Sequence, residues 1–207
     1  GDLVAARMVA DEAEKRLRSE GFVAPQVKVH GFPVLTQIAR RRFDDVSMRA
    51  ESLSVEGGRA TDVRAQASGL VLPDGGSGSM TGLTARGTVP YAEVAEAAGL
   101  ERLRLEAGDA GKVRLSRPVQ VLGETLDVAG QARIEARGST VRLTPTDVEV
   151  RGGEPADDQL SALLAERIAI DYRIPDLPDG VRVESVTAAE AGLVVRVTGR
   201  DLVVPTG

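Results

Sequence analysis

The chain has no cysteine, no tryptophan and no asparagine, and its single histidine is His30. Without cysteine it holds no disulfide and no thiolate metal site, although that does not fix its compartment. One histidine also weighs against a zinc site or a Ser-His-Asp triad, and no G-x-S-x-G segment is present to carry a nucleophile. With no asparagine there is no N-glycosylation sequon. Aromatic residues are scarce, at three Phe and two Tyr, which removes the stacking platforms that single-stranded nucleic acid sites use. The net charge is -5 and only Lys15, Lys28 and Lys112 are lysines, so the composition argues against nucleic acid as the main partner. No apolar run approaches the ~20 residues that a membrane-spanning helix needs.

What remains is an ordinary globular composition, 42% hydrophobic and 28% charged over 207 residues. With so few aromatics the interior must be filled by Val, Leu, Ile and Ala. An aliphatic interior suits acyl chains better than sugars or nucleobases. The chain starts at Gly1 rather than Met, and an upstream signal peptide or membrane anchor is expected.

Residues 2–19 carry Leu3, Ala6, Ala10, Ala13 and Leu17 at three- and four-residue spacing, which predicts an amphipathic helix. Val27 and Val29 alternate with Lys28 and His30, which predicts a strand. Gly31-Phe32-Pro33 then makes a corner, with Pro33 expected at the first position of a short helix ending in Arg40-Arg41-Arg42. From Phe43 the period changes to two. The phase slip from Ala50 to Leu53 predicts a bulge near Glu51-Ser52. Thr61 to Leu72 returns as a strand, and Pro73 to Ser79 reads as a flexible loop. Another strand ends at Val89, and Pro90 leads the helix YAEVAEAA, closed by Gly99. This strand, proline-led helix and strand echo residues 27–55, as a weak repeat or a reused connection.

Residues 100–150 read as nearly all strand, with 118–136 as one long run that Gly123 and Gly130 let bend. Residues 157–170 predict a third well-formed helix with Leu160, Leu163, Leu164 and Ile168 buried. Residues 181–204 predict a hairpin about Glu190-Ala191-Gly192. Long strands joined by tight turns imply a large, curled antiparallel sheet. The expected class is α+β, a curled sheet wrapping amphipathic helices from both ends of the chain. No linker-like segment divides it, so residues 1–207 are expected to form a single domain.

Gly31-Phe32-Pro33, Leu35 and the Arg-rich helix end resemble the signature of the LmeA-like family. So do Ile174-Pro175, Leu177-Pro178 and Gly180, then Val183-Glu184-Ser185-Val186 and Gly192-Leu193-Val194-Val195. The resemblance covers nearly the whole chain. It implies an actinobacterial cell-envelope protein, periplasmic or exported and anchored, that binds phospholipid and supports lipoglycan elongation. It also implies a tubular lipid-binding, half-barrel fold of the bactericidal permeability-increasing type. No catalytic motif carries over, and no cofactor is implied.

The candidate lining of a lipid groove is Phe32, Leu35, Ile38, Phe43, Val46, Met48, Leu160, Leu164 and Ile168. A dry core uses the same residue types, so the residues alone leave both readings open. Arg40, Arg41 and Arg42 are candidates for a lipid headgroup or an anionic membrane surface, against solvated charge at a helix C-terminus. Asp44-Asp45 and Asp157-Asp158 are carboxylate pairs of the kind a glycosidase uses, but Asp157 and Asp158 more simply begin a helix. The expected function is non-enzymatic binding or transfer of a phospholipid or other acyl lipid by a monomer, without nucleic acid or metal. The alternatives are an envelope adaptor with a filled core and a protein partner, and a carboxylate hydrolase.

Overall fold

A computed structural model describes residues 1–152, 156–175 and 177–204. In chain order the first elements are α1 (Asp2–Ser19), β1 (Phe22–Val23), β2 (Gln26–His30), α2 (Val34–Arg40), β3 (Arg42–Val55), β4 (Gly58–Val71) and β5 (Gly78–Val89). Then come α3 (Tyr91–Ala98), β6 (Arg104–Ala107), β7 (Val113–Val121), β8 (Glu124–Arg137), β9 (Thr140–Val150), α4 (Asp158–Ile168) and β10 (Ile170–Arg173). The hairpin β11 (Val181–Ala189) and β12 (Gly192–Val204) closes the chain. The class is α+β with antiparallel sheets, one of them curled into a half-barrel, as the long strands predict.

The strands divide between two sheets rather than forming one. The seven-stranded sheet runs β1-β3-β4-β5-β12-β11, with β2 also on β3, and the five-stranded sheet runs β10-β9-β8-β7-β6. The chain groups into two compact units. The first is Gly1–Thr88, Pro175–Glu184 and Arg196–Gly207, and the second is Val89–Ile174 and Ser185–Val195. The chain crosses from one to the other four times, at residues 88–89, 174–175, 184–185 and 195–196.

In the first unit β3 and β4 each have 14 residues, about 46 Å at ~3.3 Å per residue. Helix α1 packs on β1, β2 and α2. Its buried positions are Ala10 and Glu14. The Glu14 carboxylate accepts a hydrogen bond from the Val27 N–H at 2.9 Å, so α1 occupies an open edge of the sheet that would otherwise offer unpaired donors. Arg7 and Arg18 reach the same carboxylate at 3.6 and 3.8 Å.

In the second unit α4 packs on β9 and β7. Leu164 and Ile168 are fully enclosed, as are Val113, Leu115, Val128, Val141 and Leu143. Asp157 caps this helix, accepting from the Leu160 N–H at 2.8 Å. Tyr91 begins α3 and donates its hydroxyl to the Ala189 carbonyl at 2.8 Å.

Several expectations change. The β3–β4 register is unbroken where a bulge was expected at Glu51-Ser52. The irregularity lies on β4 instead, between Thr61 and Arg64 in its pairing with β5, where Asp62 takes φ +47°. The expected long strand 118–136 is a hairpin. Leu122 and Gly123 both adopt positive φ, 52° and 89°, and reverse the chain, as tight two-residue hairpin turns require. Ile170 leaves the predicted helix and begins β10, which runs on to Arg173, because Ala169 turns to an extended conformation (φ -63°, ψ 141°). Leu163 is 43% exposed rather than buried. Pro33 precedes α2 as its N-cap rather than filling its first turn. The echo of residues 27–55 joins strands of different sheets, since β5 and β6 are not in the same one.

Candidate functional site

The Gly31-Phe32-Pro33 corner is built by two long-range polar contacts. Gly31 has φ +91°, and a Cβ there would meet the Gln37 amide nitrogen at 2.9 Å. That amide donates to the His30 carbonyl at 3.1 Å, while its oxygen accepts from the Asp44 N–H at 3.1 Å. Gln37 is 7% exposed, so one buried side chain ties the end of β2 to the start of β3. The second contact comes from Asp2. Its two carboxylate oxygens accept the Val34 and Leu35 N–H groups, each at 2.8 Å. A residue more than thirty positions away therefore caps α2, and no local sequence signal marks it.

The sheet register sorts β3 into two faces, because directly opposed residues lie on the same side. On one face Val27, Met48, Ala65 and Ala85 stand abreast, and beside them Val29, Val46, Ala67 and Leu83. Val27 is buried, but the other seven are only half-buried. Ala65 and Ala67 on β4 stand between Val46 and Met48 on β3 and Leu83 and Ala85 on β5, and together these residues form an apolar lane along the strand direction. Arg42 lies on the same face of β3, opposite Val71, with Asp44 between it and Val46. Both are exposed.

The opposite face is polar. Gln26, Arg49, Arg64 and Arg86 form one row across four strands, and Lys28, Ser47, Gln66 and Thr84 form the next. A depression of about 230 Å³ here includes Arg196 in its lining. Arg64 pairs with Asp62 at 3.1 Å, and Arg196 approaches Glu184 at 3.9 Å. Arg49 and Arg86 make no ion pair among the described residues. Sequence reading missed this row because it exists only once the register is known.

The structure brings some of the expected site residues together and separates others. Val46, Met48 and Arg42 share the apolar lane. Phe43 belongs to the other face, opposite Leu70, and is 7% exposed. Phe32 and Leu35 project outward at the start of α2, at 85% and 52% exposure, and Ile38 is half-buried. Leu160 is half-buried, and Leu164 and Ile168 are enclosed in the second unit. Arg40 ends α2. Arg41 adopts φ +49° and pairs with Asp74.

The possible catalytic groups do not converge. His30 is exposed and contacts the Ser47 hydroxyl at 2.8 Å. Asp45 accepts from Gln66 at 3.0 Å, and Asp157 serves as a helix cap. Among the described residues no group of three or more His, Asp or Glu side chains gathers as metal ligands. No described helix is long and apolar enough to cross a membrane. The chemistry this site can offer is burial of apolar surface beside an arginine.

The profile of the LmeA-like phospholipid-binding family matches residues 1–198. The chain belongs to this family. No curated protein and no solved structure matches it significantly. The LmeA-like family is a phospholipid-binding one and not a known enzyme family. A half-covered aliphatic sheet face beside an arginine has the chemistry that such binding calls for.

Proposed function

We propose that this LmeA-like protein holds a phospholipid with an acyl chain along the apolar lane of β3, β4 and β5. It does so without catalysis, in the cell envelope, where it supports lipid or lipoglycan biogenesis by carrying lipid. The observation behind this reading is the run of half-buried aliphatic residues, Val46, Met48, Ala65, Ala67, Leu83 and Ala85, on one sheet face. Each CH₂ transferred from water onto that face contributes ~0.8 kcal/mol. A lipid leaving a bilayer gains nothing from hydration, so the lane must match the bilayer's apolar environment. Arg42 meets the phosphate, and Asp44 beside it accepts from a hydroxyl or ammonium of the headgroup.

Mass spectrometry of organic extracts tests this reading, comparing the natively purified protein with a mock purification. Phospholipid near one equivalent supports a carrier and identifies its cargo. A clean extract, with no uptake after incubation with labelled liposomes, favours an adaptor with a filled core and removes the lane assignment.

A further inference from the structure

Five large apolar side chains of the first unit stand in solvent where its first two helices begin. Leu3, Val4 and Met8 on α1 are 87%, 64% and 68% exposed, and Phe32 and Leu35 at α2 are 85% and 52% exposed. They are not scattered. The Asp2 bonds to the Val34 and Leu35 N–H groups fasten the start of α1 to the start of α2, which gathers Leu3, Val4, Phe32 and Leu35 around one point. Met8 continues the patch one turn along α1 from Val4. Exposing one such side chain is common, but a fixed group of them marks an interaction surface.

We propose that this tip inserts into the surface of an anionic lipid bilayer. Three features favour a bilayer over a protein partner. First, α2 enters with its leading donors already satisfied. Two of the N–H groups that a helix start normally leaves to water, those of Val34 and Leu35, are bonded to Asp2, and both carboxylate oxygens are used in doing so. That lowers the cost of placing the start of α2 in an apolar medium. Second, the five exposed side chains carry no hydrogen-bonding group beyond the weakly accepting Met8 sulfur, so a hydrocarbon medium leaves none of them unpaired. Third, Arg40 and Arg42 follow at the far end of the same short helix, exposed and without ion pairs among the described residues. Their stems can lie along the insertion depth while the guanidiniums reach phosphates at headgroup level. The inference goes beyond lipid carriage, because it holds whether or not the apolar lane contains lipid.

Flotation with phosphatidylcholine vesicles, with and without phosphatidylglycerol, tests it. The wild-type protein is expected to float with the phosphatidylglycerol vesicles. Phe32→Ser and Leu3→Ser, both at exposed positions, should each lower partitioning roughly tenfold or more, from the apolar area withdrawn from the bilayer. Arg40→Ser, which leaves Arg42 in place, should weaken the preference for phosphatidylglycerol. Leu122→Ser, at a fully exposed leucine in the β7–β8 turn, should leave flotation unchanged. Circular dichroism checks that every variant is folded. The proposal is overturned if the wild-type protein stays unbound, if Phe32→Ser floats like wild type, or if Leu122→Ser loses as much. Light scattering covers a self-contact: a wild-type dimer that Phe32→Ser makes monomeric, without flotation, assigns the tip to a second copy of the chain. Organic extraction reads lipid loading separately, so failure here leaves the carrier reading standing.

Discussion

The two compact units use the same parts and fill them differently. Each packs a helix of eleven residues or more with an antiparallel sheet. In the second unit α4 drives Leu164 and Ile168 into a layer of fully enclosed Val and Leu from β7, β8 and β9. In the first unit α1 buries only Ala10 and Glu14, and it sits at the sheet edge through the bond from Val27 to Glu14. The aliphatic face of β3, β4 and β5 stays half-covered. A filled layer stabilises the fold and leaves no room for cargo. A half-covered one gives up stability and keeps apolar surface available for a ligand. The lesson is that the helix residues most apolar in sequence, on α4, are largely enclosed, while the half-covered apolar face of the first unit is made of modest residues such as Ala65 and Ala67.

Mutations can break or sharpen this contrast. The largest effect belongs to the filled layer. Leu164→Ala should destabilise the second unit by about 2–5 kcal/mol, since a large aliphatic is removed from a fully enclosed site. Met48→Ala, on the half-covered face, should cost only about 1 kcal/mol. Urea denaturation followed by circular dichroism measures both, and equal losses would erase the distinction. Next in size is Glu14→Ala. It strands the Val27 N–H at a buried edge and should cost about 1–3 kcal/mol in the same experiment. A neutral outcome would mean water reaches that edge freely.

Much of the fold was legible in sequence. Helix α1 was readable from its three- and four-residue spacing, and α3 from Pro90 and Gly99, because local period and capping decide those elements. The hairpin of β11 and β12 was readable for the same reason. The reversal at Leu122-Gly123 was not, because leucine in the left-handed region gives no turn signal and Gly123 alone reads as a bend within one long run. Strand β10 was hidden because Ile170 extends the apolar pattern of α4. Of the residues on the apolar face, Val46 and Met48 were legible from alternation along a single strand, while Arg42 was picked out only as part of the arginine cluster after α2. The alanines of β4 and the row Arg49, Arg64 and Arg86 depend on cross-strand register, which no single segment carries. The cap of α2 by Asp2 joins residues too far apart for any local pattern.

Smaller effects test the polar surfaces. Arg49 faces Arg64 directly across the strands, and like charges so placed repel. Arg49→Thr should therefore raise stability, by roughly 0.2–1 kcal/mol, with the gain shrinking in high salt. A loss would show that Arg49 has an attractive role. On the second unit Asp171 lies opposite Arg142 and accepts from it at 2.7 and 2.9 Å. Hydrogen bonding from Arg142, aided by its charge, lowers the Asp171 pKa. The carboxylate is thus more acidic in the folded state. Its contribution is complete above the unfolded carboxylate value, ~3.9, and is lost as pH falls through the lower folded value. Asp171→Asn should lower Tm slightly near neutral pH and match wild type in strong acid. A difference that persists in strong acid would assign the effect to packing.

The most direct test of the contrast is where a bound lipid sits. A phospholipid carrying a photoreactive diazirine in its acyl chain can be loaded, irradiated and mapped by peptide mass spectrometry. The account predicts adducts on the peptides of β3, β4 and β5 that contain Val46, Met48, Ala65, Ala67 and Leu83. Adducts concentrated on α4, at Leu160, Leu164 or Ile168, would contradict it and make the second unit the lipid site.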